Sequence, residues 1–128
     1  MITKGSSLKV IDNSGAKWSK CIKVIGKASI GSTGDLILVT LTNFKNRKKV
    51  KKRTIYLGLI AGIKKWTLRP DGSCFRFFVN KVLLFNRQFK FLGTRIYGAI
   101  SKEVRFKINF HTEKKHLDKV FSYTSLII

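Results

Sequence analysis

The sequence predicts a mainly β domain in which five or six short strands close into a small barrel. Two observations carry that prediction. The apolar runs are short and rich in β-branched residues, and they are separated by turns that carry glycine. A closed barrel is preferred over an open sheet because closure removes unpaired strand edges. With 128 residues the chain is long enough for one domain, residues 1–128, and one modest core.

The elements follow in order. Residues 8–11 are a short apolar-edged run, and Asp12-Asn13-Ser14-Gly15 after them is turn-forming. Residues 20–25 read as a strand ended by Gly26. Gly31-Ser32-Thr33-Gly34-Asp35 is a second loop, and residues 36–41 are a β-branched run too short for a helix. Residues 55–63 form a further apolar run. In Arg69-Pro70-Asp71-Gly72, Pro presets φ and Gly tolerates φ > 0, so residues 60–66 and 74–79 are predicted to flank the turn as a hairpin. Residues 82–85 read as a buried strand and 86–93 as a loop. Residues 104–110 alternate apolar and polar as a strand does. Leu117, Val120 and Phe121 share one side of a helix predicted at 113–121, with Thr112 as its cap.

Charge narrows the partners. Twenty-seven Lys and Arg against six Asp and Glu give a formal charge of +21 and a pI near 10.5. A disordered basic tail is excluded by 44% hydrophobic residues and ten Phe, enough apolar surface to offset the entropy of ordering. The charges repel on a small surface unless a polyanion neutralises them. Nucleic acid is the implied partner, ahead of an anionic membrane. The longest apolar stretch, residues 55–63, is nine residues against the roughly 20 of a spanning helix, so no bilayer crossing is predicted. Residues 1–7 hold neither an apolar signal core nor an Arg-rich presequence, so a chain working in an organelle is expected to be made there or already processed.

Two cationic clusters are the candidate binding residues. Lys45, Arg47, Lys48, Lys49, Lys51, Lys52 and Arg53 put seven cations in nine positions with one apolar residue. Such a stretch is not expected to pack into a core, and with no acids among them these cations are read as phosphate ligands. Lys64, Lys65, Arg69 and Arg76 lie on or beside the hairpin tip, which could enter an RNA groove. Trp66 stands among them, with base stacking and ordinary packing both open to it. Trp18 and Tyr97 are further stacking candidates, whereas Phe77, Phe78, Phe85 and Phe106 are assigned to the core.

Catalysis has little to work with. The acids are Asp12, Asp35, Asp71, Glu103, Glu113 and Asp118, four of them in turn or cap positions, and no carboxylate pair emerges. Cys21 and Cys74 lie 53 positions apart in apolar runs and read as two buried reduced thiols. His111 and His116 do not complete a metal-ligand pattern with them, and no phosphate loop occurs. No enzymatic activity, metal or cofactor is predicted.

Five blocks carry a resemblance: Asp12-Asn13-Ser14-Gly15-Ala16; Cys21-Ile22-Lys23-Val24-Ile25-Gly26; Gly34-Asp35-Leu36-Ile37; Arg69-Pro70-Asp71-Gly72-Ser73 with Arg76-Phe77; and Gly93-Thr94-Arg95-Ile96-Tyr97-Gly98. In that order and spacing they resemble the universal large-subunit ribosomal protein fourteen family. The resemblance implies a five-stranded barrel over about residues 6–100, a projecting β-ribbon, and short C-terminal helices within 101–128. It implies a structural constituent of the large ribosomal subunit that binds large-subunit rRNA and helps bridge to small-subunit rRNA. Neighbours would be proteins similar to the third and nineteenth of the large subunit. A ribosomal silencing factor docks on the same face in this family, which carries that role onto Thr94 and Arg95, and onto Lys119 and Ser122 of Lys119-Val120-Phe121-Ser122. A free barrel-type single-strand RNA binder or RNA chaperone is the alternative.

The chain also departs from the family. It has Ser101-Lys102-Glu103-Val104-Arg105 where the family has a Thr-Arg-Glu-Leu-Arg helix, then extra residues at about 107–114, and Ala99 where Pro is common. Twenty Lys against seven Arg, with fourteen Ile and four Ala, is the usage of A+T-rich coding DNA. A mitochondrially encoded protein of the mitochondrial ribosome is therefore expected, with an A+T-rich bacterium as the competing source.

Overall fold

A computed structural model describes residues 1–26, 29–45, 50–51, 53–109, 119–124 and 126–128. In chain order its elements are β1 (Ser7–Val10), β2 (Ala16–Val24), β3 (Leu36–Phe44), β4 (Ile55–Gly62), β5 (Thr67–Leu68), β6 (Cys74–Phe75), β7 (Lys81–Phe85), β8 (Ala99–Ile100), α1 (Glu103–Asn109), α2 (Val120–Tyr123) and β9 (Leu126–Ile127).

Five of the strands close a barrel in the order β1-β2-β3-β4-β7. Its ladders are antiparallel except where β1 meets β7 in parallel, Lys9 opposite Lys81 and Val10 opposite Val82. The mainly β class and the closed barrel agree with the expectation from sequence. Alternation sorts the side chains into two cores. Leu8, Val10, Ile37, Val39, Tyr56, Ile60, Val82 and Leu84 form one cluster. Their chain neighbours Leu36, Leu57, Leu59, Ala61, Leu83 and Phe85 form the other, with Ile96, Ile100, Val104 and Val120. β4 is covered on both faces, so its sequence is an unbroken apolar run rather than an alternating one. Gly58 sits in that strand because a Cβ there would come within 2.7 Å of Val82.

The hairpin pairs Thr67 with Phe75 and Leu68 with Cys74. Its turn closes with the Gly72 amide donating to the Arg69 carbonyl (3.0 Å) and the Arg69 amide to Ser73 (2.9 Å), Gly72 taking φ +89°. The flanks are shorter than predicted. Ile60 pairs with Val82 in the barrel, because burial on two faces is worth more to that residue than extension of an exposed ribbon.

Several readings are corrected. Residues 104–109 belong to α1 and not to a strand: Val104 is fully buried, while Phe106, which alternation would bury with it, is 60% exposed. The Val104 amide donates to Ser101 (3.2 Å) and the Arg105 amide to Lys102 (3.1 Å), which start a helical turn where the family resemblance placed one. The helix predicted at 113–121 falls mostly on residues 113–118, outside the described residues, and α2 begins at Val120. The β8–β9 pairing, two residues on each side, was not predicted. Cys74 is exposed on the short ribbon, while Cys21 is buried and burial pushes its thiol pKa up. Phe77 and Phe85 are buried as expected, but Phe78 is 90% exposed. Val50, within the stretch judged unable to reach a core, is 1% exposed and joins the barrel interior. Among the described residues no helix is long and apolar enough to cross a membrane.

Candidate nucleic-acid interface

The turn after β1 is a clasp. Asp12, buried, accepts hydrogen bonds from the amide and hydroxyl of Ser14 and from the Leu84 amide (3.0 Å), fixing the turn to β7. The neighbouring Asn13 side chain accepts from the amides of Thr94 (2.6 Å) and Arg95 (3.1 Å) and donates to the Thr94 hydroxyl (2.8 Å). Gly93 permits that approach, since a Cβ there would lie 2.7 Å from the Asn13 Oδ1. The backbone of Thr94 and Arg95 is thus fixed while both residues remain exposed.

At the root of the ribbon Lys64, Lys65, Trp66, Arg76, Asn80 and Met1 line an open groove. The Lys64 amide donates to the Asn80 side chain (2.8 Å), and the Arg76 guanidinium lies 5.0 Å from the Trp66 ring centroid. Trp66 is 60% exposed, so core packing is not its role. Arg69 is different. Its Nε meets Glu103 at 2.7 Å, its Nη2 donates to the Ile128 backbone oxygen (2.8 Å), and its guanidinium covers the Phe75 ring at 4.0 Å. It clips the ribbon to α1.

The cationic stretch after β3 is held at both ends. The Lys45 amide donates to the Gly15 carbonyl (2.8 Å), beside the clasp turn. At the other end Val50 is buried, the Lys51 amide donates to the Tyr56 hydroxyl (2.8 Å), and Arg53 takes φ +61° before β4. Lys45, Lys51 and Arg53 are exposed; Arg47, Lys48, Lys49 and Lys52 lie outside the described residues.

The family model for ribosomal protein L14p/L23e matches residues 1–120. The chain belongs to that family. It is a protein of the large ribosomal subunit, set among rRNA and other ribosomal proteins.

In this L14p/L23e member α2 packs on the segment that leads into the clasp. α2 buries Val120, and Tyr123 stacks on Phe91 (centroids 5.7 Å apart), which in turn packs on Phe85 at 5.5 Å. Lys119 and Tyr123 line a small groove with Lys90 and Phe91. The Ser122 hydroxyl donates to the Lys119 carbonyl (2.6 Å), and both residues are exposed. The segment carrying Thr94 and Arg95 and the helix carrying Ser122 therefore meet on one aromatic stack. Sequence reading passed over Asn13 as a positioning residue. The turn motif pointed at it, but its partners lie 81 and 82 positions away.

α1 is tied down by charge at both ends. Lys107 reaches the Ser32 hydroxyl (2.5 Å) and Asp35 (3.2 Å). At Glu103, burial works against ionisation, but donors from Arg69 and Ser101 outweigh it and hold the carboxyl below the usual glutamate pKa. A lowered carboxylate pKa contributes stability that is present above the unfolded value and lost as pH falls through the folded one. The thermal midpoint is therefore expected to fall more steeply below the ordinary Glu range of about 4.3 in the native chain than in Glu103→Gln. Melting curves at stepped pH check this; parallel curves would remove Glu103 from the acid response.

Proposed function

We propose that the chain is a structural constituent of the large subunit that binds large-subunit rRNA and helps form bridges to small-subunit rRNA, without catalytic chemistry. The observation that carries the reading is the open groove gathering Lys64, Lys65, Arg76 and an exposed Trp66 on one side of the ribbon. Phosphate contacts from this groove and from Lys45, Arg47, Lys48, Lys49, Lys51, Lys52 and Arg53 fix position. Specificity follows from RNA shape, because the deep groove of A-form RNA is closed to side chains. Arg69 enters as the residue that sets the ribbon on α1, its own charge being taken up by Glu103.

The clasp supports the bridging half, since a rigid, exposed Thr94–Arg95 backbone is what an interface needs to be met without reordering. The same face, with Lys119 and Ser122, is where a ribosomal silencing factor would dock. Neighbouring proteins similar to the third and nineteenth of the large subunit complete the partners. Lysine-rich, alanine-poor composition supports a mitochondrial ribosome as the location.

Arg95→Glu tests the bridge. Large subunits carrying it are expected to assemble, while their joining to small subunits weakens by about tenfold or more, since reversing a rim charge mainly harms encounter and pairing. Sedimentation of the particles reads both. Failure to form large subunits would make Arg95 an assembly residue. Native protein that spreads through light fractions at moderate salt would favour a free RNA binder.

A further inference from the structure

A second groove lies on the other side of Arg76, lined by Lys9, Phe75, Arg76, Phe77, Phe78, Lys81 and neighbours, with a volume of about 490 Å³. Lys9 and Lys81 stand opposite each other in the parallel β1–β7 ladder. Like charges directly opposite on a sheet are destabilising, and no Asp or Glu lines this groove to relieve them. The Lys81 ammonium lies 4.4 Å from the Phe77 ring centroid and donates to the Ala99 carbonyl at 3.3 Å. Burial, and then the Lys9 charge, lower its pKa. Among the described residues the groove thus gathers three cationic side chains and no acidic one on a rigid barrel seam, with Ile128 completing its lining.

Its edge is aromatic. Phe78 is 90% exposed, more than any other large apolar side chain among the described residues, while Phe77 beside it is buried edge-to-face against Phe75. The buried ring fixes the backbone, and the exposed ring is left facing solvent next to three cations. Arg76 lines both this groove and the one that holds Trp66, so the two adjoin across that side chain.

We propose that Lys9, Lys81 and Arg76 seat the phosphate of an unpaired nucleotide of RNA whose base stacks on Phe78, extending the track that begins at Trp66. A cationic seat beside a free aromatic face is the combination by which single strands are held without sequence reading. The proposal rests on the rRNA-binding reading for its choice of polyanion. Apart from Arg76, which it shares with the ribbon groove, the seat lies outside the clusters already assigned.

The test uses the purified full chain and a labelled single-stranded oligouridylate of about ten nucleotides, with anisotropy followed between about 50 and 200 mM salt. The double variant Lys9→Ala/Lys81→Ala is expected to lower affinity about tenfold and to reduce the slope of log affinity against log salt by about 0.7, the share of one single-strand phosphate. Its thermal midpoint is measured alongside, because the repulsion removed is set against the lost Lys81 contacts with Phe77 and the Ala99 carbonyl. Phe78→Ala is expected to lower affinity at least about fivefold with the slope unchanged, the mark of a lost stack. Its affinity for heparin, which has no bases, should stay the same. An unchanged slope in the double variant, or unchanged oligouridylate affinity in Phe78→Ala, overturns the proposal. If alanines in the 48–52 stretch still flatten the slope in that case, the rRNA reading stands without this seat. Native protein that shows no salt-dependent binding would overturn both.

Discussion

Replacing Lys48, Lys49, Lys51 and Lys52 together by alanine is expected to reduce the salt slope of RNA binding by about three and to cost orders of magnitude in affinity at low salt. Each Lys–phosphate contact releases close to one condensed counterion, so four contacts dominate the slope of a small protein. The effect should be on binding and not on folding. The stretch is anchored by buried Val50, by the Lys51 amide on the Tyr56 hydroxyl and by the Lys45 amide on Gly15, none of which the substitutions remove. Titration of the native and substituted chains against a large-subunit rRNA fragment reads the slope directly. An unchanged slope would take the loop out of the interface and leave the ribbon groove as its main part.

Phe85→Ala is expected to destabilise the fold by about 3–5 kcal/mol, the range for truncating a buried aromatic in a packed core. Phe85 is fully buried and pairs with Leu57 across the β4–β7 ladder. It also supports Phe91, on which Tyr123 stacks, so the variant should loosen α2 beyond the general loss of stability. Urea denaturation measures the first effect and amide exchange at residues 120–123 the second. Phe85→Leu should retain much of the stability but not the ring contact. If α2 exchanges no faster in Phe85→Leu, the stack does not hold it.

The barrel was legible because its strands are apolar runs with turn residues between them, and burial is the force that both pattern and structure express. The C-terminal part was not legible. Val104, Phe106 and Ile108 mimic a two-residue period, and what decides for a helix is remote: Arg69 on Glu103, and Asp35 and Ser32 on Lys107. The cationic clusters stand out by density alone. The side chains that position them do not, because Val50 looks like a stray apolar residue and Arg69 like one more phosphate ligand until their partners are seen. Lys9, Lys81 and Phe78 are each ordinary in sequence; only the parallel seam of β1 and β7 brings the two lysines abreast.

The Asn13 clasp also sets a schedule. During synthesis Asn13 emerges 81 residues ahead of Thr94, and closing so long a loop is slow compared with local turns. A nascent or truncated chain that lacks Thr94 carries the receptor half of the clasp with nothing to hold. Its Thr94–Arg95 segment is then missing even where the early strands have paired. The fixed shape of that exposed edge is in this way contingent on a polypeptide made at least as far as Arg95.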